Sequence, residues 1–282
     1  MNQALKTTLF GLFGNSFLFI TKLFAGLSSG SLALISDAIN SLTDILSSLG
    51  IIYAVRISGR EADQSHPFGH KRAEPIAGLI VAILAGILSF EILKSAIIGL
   101  IHPRTRTFGL LPILILIICI FTKIIMSLYF KRVGERIKSP AILASYVDSR
   151  NDVLVSFTAL IGVLGGNIGF IDLDYFAAIL ISLFILYSGY KIGIENIDYL
   201  MGKSPDENLI NEIKKRALSI PEVLNLNDVR AHYVGNFIHV EIHIEVDKNL
   251  TILESHKIGK DVQWGIEKME NVDRAFVHID PW

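Results

Sequence analysis

Long apolar stretches alternate with short polar connections over the first two-thirds of the chain. A stretch of about 20 apolar residues is long enough for a helix to cross a hydrocarbon layer of about 30 Å. The pattern predicts six membrane-spanning helices, at residues 7–27, 32–55, 75–101, 108–130, 141–165 and 172–192. The fifth stretch is the least apolar because it contains Asp148 and Asp152, so a hydropathy window alone can miss it.

After Lys191 the pattern becomes polar, with apolar residues at alternating positions. It predicts helices at 206–219 and 251–268 and strands at 223–232, 237–246 and 274–280. The order αββαβ is typical of a small ferredoxin-like α+β domain with both helices on one face of the sheet. We therefore expect a six-helix, all-α transmembrane domain at 1–202 and a separate α+β domain at 203–282.

The composition agrees with a membrane protein, since 51% of the residues are hydrophobic and only 19% are charged. The mean hydropathy is +0.50. A net charge of −1 gives no basic footprint for nucleic acid. The single Cys119 lies in an apolar span, which is typical of a packed thiol. The absence of an HExxH motif argues against an intramembrane metalloenzyme, so we do not expect an enzyme.

Basic residues in the connections predict the orientation of the spans. One side of the predicted membrane domain carries Arg56, Arg60, Lys71, Arg72, Lys131, Arg132, Arg136 and Lys138, whereas the other side carries only Arg104 and Arg106. This asymmetry predicts that both termini and the C-terminal domain are cytoplasmic. The lack of a targeting extension favours the inner membrane of a bacterium.

Two pairs of polar residues interrupt the apolar spans with helical spacing. Asn40 and Asp44 are four residues apart, and so are Asp148 and Asp152, so each pair shares one face of its helix. One carboxylate at mid-membrane costs roughly 2.5–3.5 kcal/mol, and three cost roughly 8–10 kcal/mol. Either the carboxylates are protonated or paired with buried cations, or the two pairs converge on a divalent cation. The candidate pairing partners are Lys22, Lys94, Lys123 and Arg150.

Three other charged residues in these spans have local explanations. Asp37 is expected to cap or pair locally, outside the site. Arg150 needs a partner, for which Asp37 and Glu91 are the candidates. Lys22 is expected to extend its ammonium to the membrane interface.

Histidines form two further candidate sites. Asp63, His66 and His70 in "DQSHPFGHKRAEP" have the spacing of a metal site in a loop, although a surface loop explains them equally well. In "FIHVEIHIEV" the polar residues alternate with apolar ones and so share one face of a strand. That face is exposed either to solvent or to a partner subunit, and we expect His232 and His239 to be surface residues.

The motifs "GSLALISDAINSLTD" and "DQSHPFGHKRAE", the acidic pair of the fifth span and the final "HIDPW" together resemble the cation diffusion facilitator family. The resemblance covers essentially the full chain. It implies a homodimer in the lipid bilayer that exports divalent transition metals in exchange for protons. Non-transporting sensors and channels remain as alternatives.

The resemblance also implies three metal sites. The transport site falls on Asn40, Asp44, Asp148 and Asp152, and the loop site on Asp63, His66 and His70. A cytoplasmic site at the domain interface falls on His243, His256, His278 and Asp280. A further family histidine corresponds to Asn227 in this sequence.

The expected transported ion follows from a difference between this sequence and zinc-exporting relatives at the transport site. Zinc-exporting relatives usually have histidine at one or both of the positions that Asn40 and Asp148 occupy here. A site with only oxygen donors suits Mn²⁺ better than Zn²⁺, and the Asn-and-three-Asp pattern resembles the manganese-exporting branch. We expect Mn²⁺ as the transported ion, with Fe²⁺ and Zn²⁺ as alternatives, and no resident cofactor.

Overall fold

Six long helices form the first part of the molecule in the computed structural model, which describes residues 3–58, 60–102, 108–137, 140–235 and 237–282. They are α1 (Gln3–Ser29), α2 (Leu32–Ser58), α3 (Ala73–Ile101), α4 (Leu110–Ile137), α5 (Pro140–Asn167) and α6 (Asp172–Leu200). All six predicted spans are confirmed as helices. Among these described helices, all but α5 are apolar enough over a sufficient length to cross a membrane. α5 is the exception because Asp148, Arg150 and Asp152 lie within two turns.

The contacts divide the chain into two compact units. The first contains Met1–Gly50 and Ile80–Gly193, and the second contains Ile51–Leu79 and Ile194–Trp282. Residues 51–79 therefore group with the C-terminal residues, whereas the sequence assigned them to the membrane domain. The expected boundary after residue 202 stays a prediction.

Small side chains allow the helices of the first unit to pack closely, as is usual in membranes. Ala25, Ala33 and Ala159 are fully buried in its main apolar cluster. A Cβ atom at Gly162 would lie 2.8 Å from the Cβ atom of Ala177, so glycine is required where α5 meets α6. Large apolar side chains such as Phe13 are exposed, as expected for a surface that faces lipid.

A carboxylate on α6 fixes the start of α2. The chain turns between α1 and α2 at Gly30, whose φ of 74° favours glycine. Asp174 Oδ2 accepts a hydrogen bond from Leu32 N at 2.8 Å, and its Oδ1 accepts one from the Ser31 hydroxyl. Because the first N–H groups of a helix have no partner within it, this buried carboxylate caps α2.

The C-terminal fold has the predicted αββαβ order. It comprises α7 (Glu207–Leu218), β1 (Asn225–Val234), β2 (Phe237–Val246), α8 (Ile252–Glu267) and β3 (Val272–Pro281). The strands lie in the order β1-β2-β3. β1 pairs antiparallel with β2, and β2 pairs parallel with β3.

One face of this sheet is covered by both helices. Val240, Ile242 and Ile244 of β2 are fully buried against Ile213 of α7 and Val262 of α8. Asp206 caps α7, and Thr251 with Glu254 forms a capping box at the start of α8. The period-two pattern of β2 therefore predicted correctly which of its residues pack against the helices.

The basic residues used to predict orientation lie partly on helices. Lys131, Arg132 and Arg136 belong to the last turns of α4 rather than to a loop. Arg104, Arg106 and Lys138 lie outside the described residues. The predicted orientation of the termini stays a prediction.

Candidate metal transport site

A direct hydrogen bond joins α2 to α5 at two of the residues expected to bind metal. Asn40 Nδ2 donates to Asp152 Oδ1 at 2.7 Å. Asn40 is 6% exposed and Asp152 is 4% exposed. Asp44 and Asp148 lie one helical turn away from them on the same two helices. The helical spacing thus indicated two helix faces that contact each other.

A lysine from α4 also enters this site. The ammonium of Lys123 is fully buried, donates to Asp152 Oδ2 and lies 3.6 Å from Asp44 Oδ2. It also donates to Asn15 Oδ1 on α1 at 2.8 Å. Pairing with Lys123, one of the two explanations of the carboxylates, is therefore observed. Binding of a metal by the same carboxylates stays a prediction.

Exposure increases along the site. Asp152 is buried, the Asp44 side chain is 27% exposed and Asp148 is exposed. Among the described residues, one oxygen from each of these three carboxylates cannot be chosen so that all three lie within 4.8 Å of one another. The four predicted ligands thus lie in one region of the molecule, and the Lys123 ammonium is within 4.0 Å of both Asp44 and Asp152.

A second buried lysine lies in the same unit, beside the predicted ligands. Lys22 Nζ is 2.8 Å from Asp37 Oδ1 and donates to the hydroxyls of Ser41 and Ser156. Lys22 and Asp37 are both fully buried. The expectation that Lys22 extends to the membrane interface is therefore wrong, and Asp37 pairs with another helix rather than locally.

Arg150 does not have the partner expected on α2, since Asp37 pairs with Lys22. Glu91, the other candidate, lies 3.7 Å from Lys94. Arg150 itself is exposed.

The sequence did contain a signal for both buried lysines. Lys123 lies at the midpoint of α4, about 20 Å from either end at 1.5 Å per residue. Lys22 lies about 10 Å from the end of α1 by the same rise. An ammonium so deep in hydrocarbon requires an internal partner. The roles of Asn15, Ser41 and Ser156 had no comparable signal, because neutral polar residues are common on packed helices.

The three residues of the predicted loop site lie close together, and metal binding by them stays a prediction. One ligand atom from each of Asp63, His66 and His70 lies within 4.8 Å of the others. Asp63 Oδ1 accepts hydrogen bonds from the backbone N–H groups of His66 and Ser65, at 2.7 and 2.9 Å. These bonds, that from His66 above all, lower the pKa of Asp63, which keeps the carboxylate ionised and able to bind a cation.

A second group lies on the sheet. His243 of β2 pairs in register with His278 of β3, and Asp280 lies two residues further along β3. The Asp280 oxygens are 3.6 Å from His243 Nδ1 and 3.2 Å from His278 Nε2. Asn227, at the position of the additional family histidine, donates to Asp280 Oδ2 at 3.3 Å.

His256 does not join this group among the described residues. It is exposed on α8, which packs against the apolar face of the sheet. His243, His278 and Asp280 belong to the polar face. Within one chain the sheet therefore separates His256 from the other three predicted ligands.

His239 is buried, so the expectation of a surface residue is wrong. It is 5% exposed, and its Nε2 lies 3.2 Å from Asp273 Oδ2. Its ring lies 6.1 Å from those of Phe68 and Phe276. Burial lowers the pKa of His239 despite the nearby Asp273. The loop that carries Phe68 covers this part of the polar face. His232, the other histidine expected at the surface, is half-buried.

Comparison with known proteins agrees with this architecture. The chain matches the cation efflux transmembrane domain over residues 8–201 and the cation efflux protein cytoplasmic domain over residues 205–282. An uncharacterized transporter from Methanocaldococcus jannaschii is 34% identical over 280 residues, which cover 99% of both chains.

Two relatives carry functional names. The manganese efflux system protein MneP of Bacillus subtilis is 32% identical over 287 residues, which cover 98% of this chain and 96% of that protein. The cation-efflux pump FieF of Yersinia enterocolitica is 27% identical over 267 residues, which cover 94% of this chain and 89% of that protein. Because family models match nearly the whole chain, the protein belongs to the cation efflux family, the cation diffusion facilitators, and is a multi-pass membrane transporter rather than an enzyme.

Proposed function

We propose that this protein exports Mn²⁺ in exchange for protons by alternating access, with Asn40, Asp44, Asp148 and Asp152 as the transport site. The observation that carries the proposal is the buried contact between Asn40 and Asp152. It brings together the two helical faces that carry the other two carboxylates, within helices of a cation efflux domain.

The donor set supports Mn²⁺ as the cargo. The four residues offer one amide oxygen and three carboxylates, which suit a harder cation, and none offers an imidazole. The relative MneP is named as a manganese efflux protein. Fe²⁺ and Zn²⁺ are the next candidates, because Zn²⁺ binds most sites more tightly than Mn²⁺ in the Irving–Williams order.

Proton exchange follows from the charge of the site. Three neighbouring carboxylates repel one another, so in the absence of a metal they are stabilised by protons or by an ammonium. Metal binding requires ionised ligands and releases protons. When the site opens to the opposite side, protons compete for the same oxygens and the metal leaves.

The gradient of exposure supports access from one side in this conformation. Asp44 and Asp148 are more exposed than Asn40 and Asp152 and lie nearer to the end of α2 and the start of α5. The basic residues of the sequence predict that these helix ends face the cytoplasm. Movement of α2 and α5 against the other helices then exposes the site to the opposite side.

The other two clusters fit regulatory metal sites in a homodimer. Two imidazoles and one carboxylate at each cluster leave a position for a fourth ligand, which suits a four-coordinate ion. At the sheet cluster the fourth ligand is His256 of a second subunit, since His256 of the same chain lies across the sheet. Metal bound between two C-terminal domains in the cytoplasm favours one dimer arrangement only if it binds that arrangement more tightly. We place the homodimer in the inner membrane of a bacterium.

The test is efflux of Mn²⁺ from loaded cells that express each variant at the same level. Asp44→Ala and Asp152→Ala are expected to abolish efflux, because each removes a charged ligand. Asp172→Ala is the matched control, since Asp172 is an exposed carboxylate at the start of α6. Efflux retained by both site variants contradicts the proposed site.

Flux into proteoliposomes that contain a pH dye distinguishes the mechanism. Saturable Mn²⁺ flux with opposite proton movement is expected for an antiporter. Flux that does not saturate indicates a channel instead, and the absence of flux for every divalent metal indicates a non-transporting sensor.

A further inference from the structure

Both carboxylate oxygens of Asp152 are engaged. Oδ1 accepts from Asn40 Nδ2 at 2.7 Å, and Oδ2 accepts from the ammonium of Lys123. Each oxygen keeps a further lone pair, but a divalent cation bound there repels an ammonium that lies at hydrogen-bond distance from the same carboxylate. Asn40 belongs to the proposed ligand set and can offer its amide oxygen, whereas an ammonium has three donors and no lone pair. Lys123 is thus a rival of the metal rather than a ligand.

The position of Lys123 prevents its departure from the membrane interior. It lies at the midpoint of α4, about 20 Å from either end of the helix, which is far beyond the reach of its side chain. Its ammonium must remain near the site in every step of the transport cycle unless α4 itself moves.

Asn15 provides an alternative partner outside the ligand set. Its Oδ1 accepts from Lys123 Nζ at 2.8 Å, whereas Asp44 Oδ2 lies 3.6 Å from the same ammonium. The ammonium can therefore leave Asp152 and keep a hydrogen bond to α1. Lys22 provides a contrast, because it is equally buried but its acceptors Asp37, Ser41 and Ser156 all lie outside the predicted ligands.

We infer that Lys123 is a tethered counter-cation, which occupies the transport site between metal ions and is displaced from Asp152 towards Asn15 when a metal binds. This inference rests on the proposed function, since it assigns Asp152 as a metal ligand. The ammonium compensates one of the three carboxylate charges while the site has no metal. It also lowers the affinity for the metal, which favours release on the far side.

This arrangement also distinguishes divalent from monovalent cations. A divalent cation attracts the carboxylates about twice as strongly as the ammonium at equal distance. A monovalent cation such as Na⁺ gains no such advantage over Lys123, which is already in place. The tethered lysine therefore excludes abundant monovalent cations without a narrow pore.

Calorimetric titration of the purified full-length protein with Mn²⁺ at constant pH tests this role. Because the protein has several proposed metal sites, the part of the Mn²⁺ binding that is lost in Asp44→Asn is assigned to the transport site. Lys123→Gln is expected to tighten that component by about tenfold to a hundredfold, the effect of losing one competing charge-assisted hydrogen bond. A purely structural role for Lys123 predicts weaker binding instead. Lys94→Gln is the control, because Lys94 is exposed and lies beside Glu91.

A second variant shifts the affinity in the opposite direction. Asn15→Ala removes the alternative acceptor, so Lys123 binds the carboxylates more firmly and the Mn²⁺ affinity is expected to fall by about two- to tenfold. In proteoliposomes, Lys123→Gln should lower both KM and kcat, since a more tightly bound ion is released more slowly.

Unchanged or weaker binding by a folded Lys123→Gln variant overturns the inference while the proposed function stands. If that variant does not fold, Asn15→Ala decides, and unchanged or tighter binding by it overturns the inference. If the wild-type protein has no component that Asp44→Asn removes, the proposed transport site itself is wrong.

Discussion

Lys22 Nζ lies 2.8 Å from Asp37 Oδ1, and neither side chain has any exposed surface. This ion pair joins α1 to α2, and the Lys22 hydrogen bond to Ser156 extends the connection to α5. Removal of charges from water is costly, so such a pair is stable only while both partners are present. In this conformation it therefore connects α2 and α5, the helices that carry the proposed ligands, through α1.

We expect Lys22→Met to destabilise the protein by about 3–5 kcal/mol, because it leaves the carboxylate of Asp37 buried without its partner. Titration with a denaturing detergent measures this change in the free energy of unfolding. The double variant Lys22→Met/Asp37→Leu should recover most of the loss, since it removes both charges. Equal stability of the two variants would show that the pair is not energetically coupled.

Asp174→Ala should cost about 0.5–2 kcal/mol through loss of the cap of α2. The variant leaves the N–H groups at the start of α2, including that of Leu32, without the acceptor they have now. Asp172→Ala is a matched control, because Asp172 lies in the same first turn of α6 but is exposed. A thermal unfolding temperature that falls equally in both variants would contradict a capping role.

Stability should decrease as the pH falls below about 6.5, the ordinary pKa of histidine. Burial lowers the pKa of His239, so in this range the unfolded chain binds a proton that the folded chain does not. Three charged or titratable groups also act on this imidazole. Asp273 raises the pKa of His239, whereas His232 and Lys71 lower it. The unfolding temperature measured between pH 7.5 and pH 5 should depend less on pH in His239→Gln than in the wild type. An unchanged slope would assign the pH dependence to other groups.

Asn40→His should shift transport from Mn²⁺ towards Zn²⁺, because it replaces an oxygen donor with the imidazole that Zn²⁺ favours. The ratio of the two initial rates in proteoliposomes measures the preference. Ser36→Ala is a suitable control on the same helix, since the Ser36 hydroxyl donates to Leu32 O and has no role in the proposed site. A Mn²⁺/Zn²⁺ ratio that matches the wild type would place selectivity elsewhere.

Local patterns were sufficient for the elements of the fold. The long apolar runs predicted all six long helices, and the period-two pattern of 237–246 predicted the buried face of β2. Helical spacing singled out the faces of α2 and α5 that carry Asn40 and Asp152, and a hydrogen bond joins these two residues. These features depend on residues within a few positions of one another, which is why the sequence contains them.

Only the tertiary structure decided which charges meet. The partners of Lys123 lie on α1, α2 and α5, and Lys22 meets Ser156 across 134 positions of the chain. The burial of His239 likewise depends on a loop that carries Phe68 and is far away in sequence. Sequence alone determined that ionisable groups lie deep in the membrane and need compensation. It could not assign the compensating partner, because pairing depends on how separate helices pack and not on the spacing within any one of them.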